Sequence, residues 1–167
     1  ESYIRSGLMP PAPETVRSHS AGVKEELTCN GNLLLVHNTF ADKETISEVS
    51  SRNNTFWCLC PGSNLYIEGK LPPVHLLIDS GCKIVTGTDS IASNDTISML
   101  NEMKILQQSF PFIKLADLIE WATINGAVAL SATDTYGTIE PGKRPGLILL
   151  SDPDLENLKL LPGTYSK

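Results

Sequence analysis

The chain has 167 residues, a formal net charge of -6, 41% hydrophobic and 19% charged residues, the profile of an ordinary soluble globular chain. Only 13 Lys plus Arg stand against 19 Asp plus Glu, which leaves no basic stripe for a phosphate backbone and argues against nucleic acid or an anionic membrane as partner. The apolar runs are far too short to cross a bilayer and the N-terminus lacks the basic-then-apolar order of a signal peptide, so a cytoplasmic location is expected.

Glu1 opens a polar stretch with no element start, the pattern of a piece of something longer. After the Pro-rich segment 8–13, a polar helix is expected over 15–27, carrying Val16, Val23 and Leu27. Leu33 to His37 is an apolar run without alternation, which suits a parallel strand buried on both faces. Asp42 offers an N-cap for a short helix through Ile46 and Val49. Thr55 to Cys60 reads as a second strand, broken by Pro61-Gly62-Ser63-Asn64. Pro72 and Pro73 start a helix through Val74, Leu77 and Ile78 that stops at Gly81, and Lys83 to Gly87 forms a third strand. Ser93, Asn94 and Asp95 are capping candidates for an amphipathic helix over Ile97 to Phe110. A further helix runs from Leu115 to about Ala132, and Leu147 to Leu150 is a last strand. Cys29, Cys58, Cys60 and Cys82 lack C-x-x-C spacing and are read as reduced core thiols.

Strand and helix in alternation, joined by short connections, predict a parallel α/β architecture. Active sites in such folds lie beyond the carboxyl ends of the strands. Three polar clusters stand there: His37 and Asn38, Cys60 to Asn64, and Thr88-Asp89-Ser90. They are spaced by about one strand-helix repeat, so one mouth can hold all three. Asp89, directly after a buried strand, is the sharpest candidate, because a carboxylate there needs a metal, a cation or backbone donors. The plain alternative is a turn or N-cap aspartate. His37 is either a ligand or donor to bound water, or a satisfied structural histidine. His19 and His75 fall on helices expected to cover the sheet from outside. Cys58 and Cys60 point to one face of their strand, and two thiols alone do not make a tetrahedral metal site.

His37-Asn38-Thr39, Cys60-Pro61-Gly62-Ser63-Asn64 and Gly87-Thr88-Asp89-Ser90-Ile91-Ala92-Ser93-Asn94, each after an apolar strand, together resemble the amidohydrolase superfamily, in its branch of chlorohydrolases and guanine deaminases. Ala127-Val128-Ala129-Leu130 through Gly137 to Arg144 is similar to the stretch leading that family from its last barrel helix into a small β-sandwich. The resemblance implies the C-terminal part of a (β/α)8 TIM-type barrel, strands six to eight with their helices over 1–132, followed over 133–167 by a linker and a strand of the sandwich. It implies that Asp89 ligates one divalent metal, usually zinc, and takes a proton from the water bound there. It likewise implies that His37 is the sixth-strand histidine beside the metal, which contacts the attacking water or the substrate, and that Cys60, Pro61, Ser63, Asn64 and Ser90 belong to an active-site loop.

The family's His-x-His pair and its fifth-strand histidine have no counterpart here. The chain alone is therefore expected to leave the metal unbound and to be inactive. Pro145 also departs from the family's run by removing a backbone donor. The expected function is hydrolytic deamination, or dechlorination, of a heterocycle, with a small-molecule substrate and an open first-strand edge that favours a homo-oligomer. The alternative is a non-catalytic scaffold or binding module derived from the same barrel.

Overall fold

The computed structural model describes residues 31–51 and 53–166. The polar helix expected over 15–27, with His19, and Cys29 lie outside them. Three strands, β1 (Leu33–Val36), β2 (Thr55–Leu59) and β3 (Lys83–Thr86), form a parallel sheet in the order β1-β2-β3. Leu35 stands opposite Trp57, and Trp57 opposite Ile84, so the register carries one apolar row across all three strands. The ladder runs one residue further at each strand end: the His37 N–H donates to the Cys58 carbonyl at 3.1 Å and the Gly87 N–H to the Leu59 carbonyl at 2.9 Å.

Strand alternation divides the core between the two sheet faces. Trp57, Leu59 and Ile84 pack with Ile46, Leu77, Leu106 and Leu118 of the helices, while Phe56, Cys58, Cys60 and Val85 form a smaller cluster on the opposite face. All five residues of β2 are buried, as a central parallel strand requires. β1 differs from the sequence expectation. Leu34 is 39% and Val36 43% exposed, because β1 is an edge of this sheet and its apolar run is covered on one face only.

The helices are α1 (Lys43–Ser50), α2 (Pro61–Glu68), α3 (Val74–Asp79), α4 (Met99–Ser109), α5 (Leu115–Ala122) and α6 (Ile124–Ala129). Asp42 caps α1 as expected, its carboxylate accepting from the Thr45 N–H at 2.9 Å. Replacing it with Ala should lower stability by about 1 kcal/mol, read as a shift in the urea midpoint with unchanged slope. α3 stops at Ser80, followed by Gly81 in the left-handed region, φ 65°.

Pro61-Gly62-Ser63-Asn64 ends β2 as expected, and the same residues form the first turn of α2, a helix the sequence pattern did not announce: Pro61 at N1 has no N–H to lose and its fixed φ suits a helix start. Three expectations need correction. The cap of α4 is Ser98, which accepts from the Asn101 N–H, while Ser93 and Asn94 turn inward. The helix expected from Leu115 to Ala132 divides at Thr123, whose φ of -130° and ψ of -90° leave the helical region. Leu147–Leu149 form no ladder: Pro145 offers no donor, Gly146 sits at φ 70°, and the strand is only β4 (Leu150–Ser151), antiparallel to β5 (Tyr165–Ser166). Among the described residues no helix is long and apolar enough to cross a membrane.

Candidate functional site

The carboxyl ends of β1, β2 and β3 bring the three polar clusters together. Asp89 is the centre. Its Oδ2 accepts from the Ser93 hydroxyl at 2.6 Å and from the Ser63 hydroxyl at 2.8 Å, and His37 Nε2 lies 3.8 Å away. The Ser93 and Ser63 hydroxyls, in that order, hold the Asp89 carboxyl below the usual carboxylate range, because they hydrogen-bond the charged form. The side chains of His37 and Asp89 are 36% and 32% exposed, so both remain open to a ligand from solvent.

The backbone at these positions is uncommon. His37, Asn38 and Asp89 all have positive φ, at 68°, 52° and 56°. His, Asn and Asp are the residue types enriched there among those with a side chain, and the conformation turns the chain sharply after β1 and β3, where His37 and Asp89 approach each other.

Around this centre the clusters are tied to one another. Asn64 Nδ2 donates to the Thr39 hydroxyl at 2.7 Å, joining the turn after β1 to the first turn of α2. Ser90 does not reach Asp89 through its hydroxyl; its Oγ lies 3.2 Å from that of Ser93, and its carbonyl accepts from Ser93. Pro61 is buried at the helix start. Cys60 is also buried, its sulfur 4.0 Å from that of Cys58, and the contact with Cys58 together with burial pushes its thiol up, which keeps it protonated and poorly nucleophilic. Cys58, Cys60 and Cys82 are free thiols. His75, on α3, takes no part in the cluster around Asp89.

One residue central to this arrangement was absent from the sequence reading. Glu102 of α4 is fully buried; its Oε2 accepts from the Gly62 N–H and its Oε1 from Asn94 Nδ2, each at 2.7 Å. Asn94 Nδ2 also donates to the Thr88 carbonyl at 2.8 Å. Burial pushes the Glu102 carboxyl up, against the two hydrogen bonds that favour its charged form. A signal existed: Glu102 lies three residues after Met99 and four before Leu106, on the apolar stripe of its helix.

The donor set bears directly on metal binding. Among the described residues no group of three or more His, Cys, Asp or Glu side chains is placed to hold a metal ion. One carboxylate and one imidazole do not make a zinc site, which takes three or four protein ligands. What these residues can do by themselves is accept a proton at Asp89 and orient a polar group beside His37.

A parallel α/β layer with polar side chains converging beyond the strand carboxyl ends has the layout of an α/β enzyme domain. Three comparisons narrow that class. The 5-methylthioadenosine/S-adenosylhomocysteine deaminase of Saccharophagus degradans is 33% identical over 135 residues, covering 77% of this chain and 29% of that protein. The S-triazine hydrolase of Gordonia rubripertincta is 29% identical over 162 residues, covering 90% of this chain and 33% of that protein. The crystal structure of an adenosine deaminase from Xanthomonas campestris with bound zinc superposes with a TM-score of 0.62 at 28% identity, covering 78% of this chain and 30% of that one. The amidohydrolase family profile matches residues 14–162, and the chain belongs to the amidohydrolase family. It spans about three tenths of the length of the relatives it matches.

Proposed function

We propose that this chain is the C-terminal part of an amidohydrolase that hydrolyses the exocyclic C–N bond of a ring carbon, releasing ammonia from an aminated heterocycle. β1, β2 and β3 are then strands six to eight of a (β/α)8 barrel, within a barrel segment over 1–132. Residues 133–167 supply the linker and a strand of the small sandwich. The two-faced core supports this: one sheet face is covered by helices, and the other carries the small cluster of Phe56, Cys58, Cys60 and Val85, suited to a barrel interior.

The observation that carries the proposal is Asp89, kept ionised by two hydroxyls at a strand end beside His37. In the reaction, water adds its oxygen to the ring carbon, Asp89 accepts the water's proton, and the proton passes to the departing amine, which leaves as ammonia. His37 orients the water or the substrate's polar edge. Cys60, Pro61, Ser63, Asn64 and Ser90 shape and hold the site. A divalent metal, zinc first, would supply acidification of the water when bound; Asp89 would be one of its ligands, and the described residues supply no further set of three. The relatives' names put aminopurines first among substrates and s-triazines second.

The test is made on the longest natural form of the protein and on the 167-residue chain. After dialysis the long form should retain about one equivalent of zinc by elemental analysis, and the short chain none. Ammonia release from adenosine, 5-methylthioadenosine, guanine or an amino-s-triazine is expected from the long form only. A long form with neither zinc nor turnover would favour the scaffold or binding-module reading, and turnover by the short chain would overturn the partial-site argument.

A further inference from the structure

We propose that Glu102 is the positioning residue of this site, a single buried carboxylate that locks together the two segments whose serines hold Asp89. The inference rests on the reading of Asp89 as the proton-accepting group. Its basis is a matched pair of contacts. Glu102 binds Gly62 and Asn94, and each is the immediate neighbour of a serine on Asp89: Gly62 precedes Ser63, and Asn94 follows Ser93. One carboxylate on α4 thus sits one residue behind both hydroxyls.

The contact leaves little freedom. A Cβ added at Gly62 would lie 2.7 Å from the Asn94 amide and 2.8 Å from Glu102, so the first turn of α2 approaches Glu102 as closely as a residue without a side chain allows. Asn94 passes the constraint on to the Thr88 carbonyl, beside Asp89 itself. Glu102 does not touch Asp89, His37 or the solvent-facing mouth; it acts by fixing where Ser63 and Ser93 stand. A buried carboxylate that only filled space would be expensive, and a Met or Leu would suit the apolar stripe better. Its two acceptor oxygens match two donors that no apolar residue could satisfy.

The decisive variant is Glu102→Gln in the longest natural form. The amide keeps the shape but turns one NH2 toward a donor, so one of the two contacts is lost. Hydrogen exchange should become roughly tenfold faster in segments 60–68 and 87–96 together, with β1 and the centre of β2 unchanged. On the substrate found in the ammonia screen, kcat should fall about 10- to 100-fold while KM stays within about twofold. Gly62→Ala, which forces the same contact apart from the other side, should loosen the same two segments, and it carries the test if Glu102→Gln does not fold. Unchanged exchange in either segment, or equal loosening throughout the sheet, would overturn the proposal. An inactive wild-type protein would instead sink the catalytic reading, and the exchange data would still decide the role of Glu102.

Discussion

Asp89→Asn should reduce turnover of the long form by on the order of 10²- to 10⁴-fold while leaving the fold nearly as stable as before. Stability is spared for identifiable reasons. Asn tolerates the left-handed backbone that Asp89 adopts at φ 56°, and its amide oxygen can still accept from Ser93 or Ser63. What is lost is the charge, and with it the ability to take a proton from water or to bind a cation strongly. The pH dependence has a definite sign. The folded Asp89 carboxyl titrates below its ordinary value, so its contribution is fully present above the ordinary carboxyl range and is lost as pH falls through the lowered folded value. In the metal-free 167-residue chain the Asp89 carboxyl should therefore titrate below the usual carboxylate range, and Ser93→Ala should move it upward, read by NMR of the side-chain carboxyl. A variant Asp89→Asn that keeps turnover within about threefold of wild type would remove Asp89 from the chemistry.

The strand-end constellation was legible because it depends on chain order: apolar run, then polar residues, three times over. Asp89 and His37 follow from that pattern alone, and the structure places them 3.8 Å apart. Contacts between clusters were not legible, because Ser63, Ser93 and Asp89 meet only after β2 and β3 have paired. Ser93 and Asn94 carry the chemistry of helix caps, and their local signal pointed to α4, whereas their partners are Asp89, Thr88 and Glu102. Composition misled at α2 as well, where Pro-Gly-Ser-Asn is turn-like and the buried hydrogen bonds of Ser63 and Asn64 come from tertiary pairing. β1 illustrates a different limit. An unbroken apolar run predicts two covered faces, but which residues cover the face of β1 that carries Leu34 and Val36, level with Phe56 and Cys58 of β2, is not written in the strand itself. The role of Glu102 was not legible because its partners, the Gly62 N–H and Asn94 Nδ2, reach it only once α2 and the loop after β3 have packed on α4.

Trp57→Ala should cost about 3–5 kcal/mol, the largest stability loss expected from a single substitution among the described residues. Trp57 is 1% exposed at the middle of the central strand, flanked by Leu35 on one side and Ile84 on the other, with Ile46, Leu77, Leu106 and Leu118 in the same core. Removing the indole opens a large void in a sheet that has one strand on each side, so neither neighbour can move in without breaking its own ladder. Against a typical domain stability of about 5–15 kcal/mol, the loss takes up a large share of the margin. The consequence reaches the site, since β2 ends directly at Cys60 and α2, and a displaced β2 would carry Ser63 away from Asp89. Trp57→Phe fills most of the void and should cost markedly less, leaving the Ser63 contact in place. Urea unfolding of the long form distinguishes the cases: a loss below about 1 kcal/mol in Trp57→Ala would mean that Trp57 is not enclosed. The β1-β2-β3 register that gathers the three polar clusters would then be wrong.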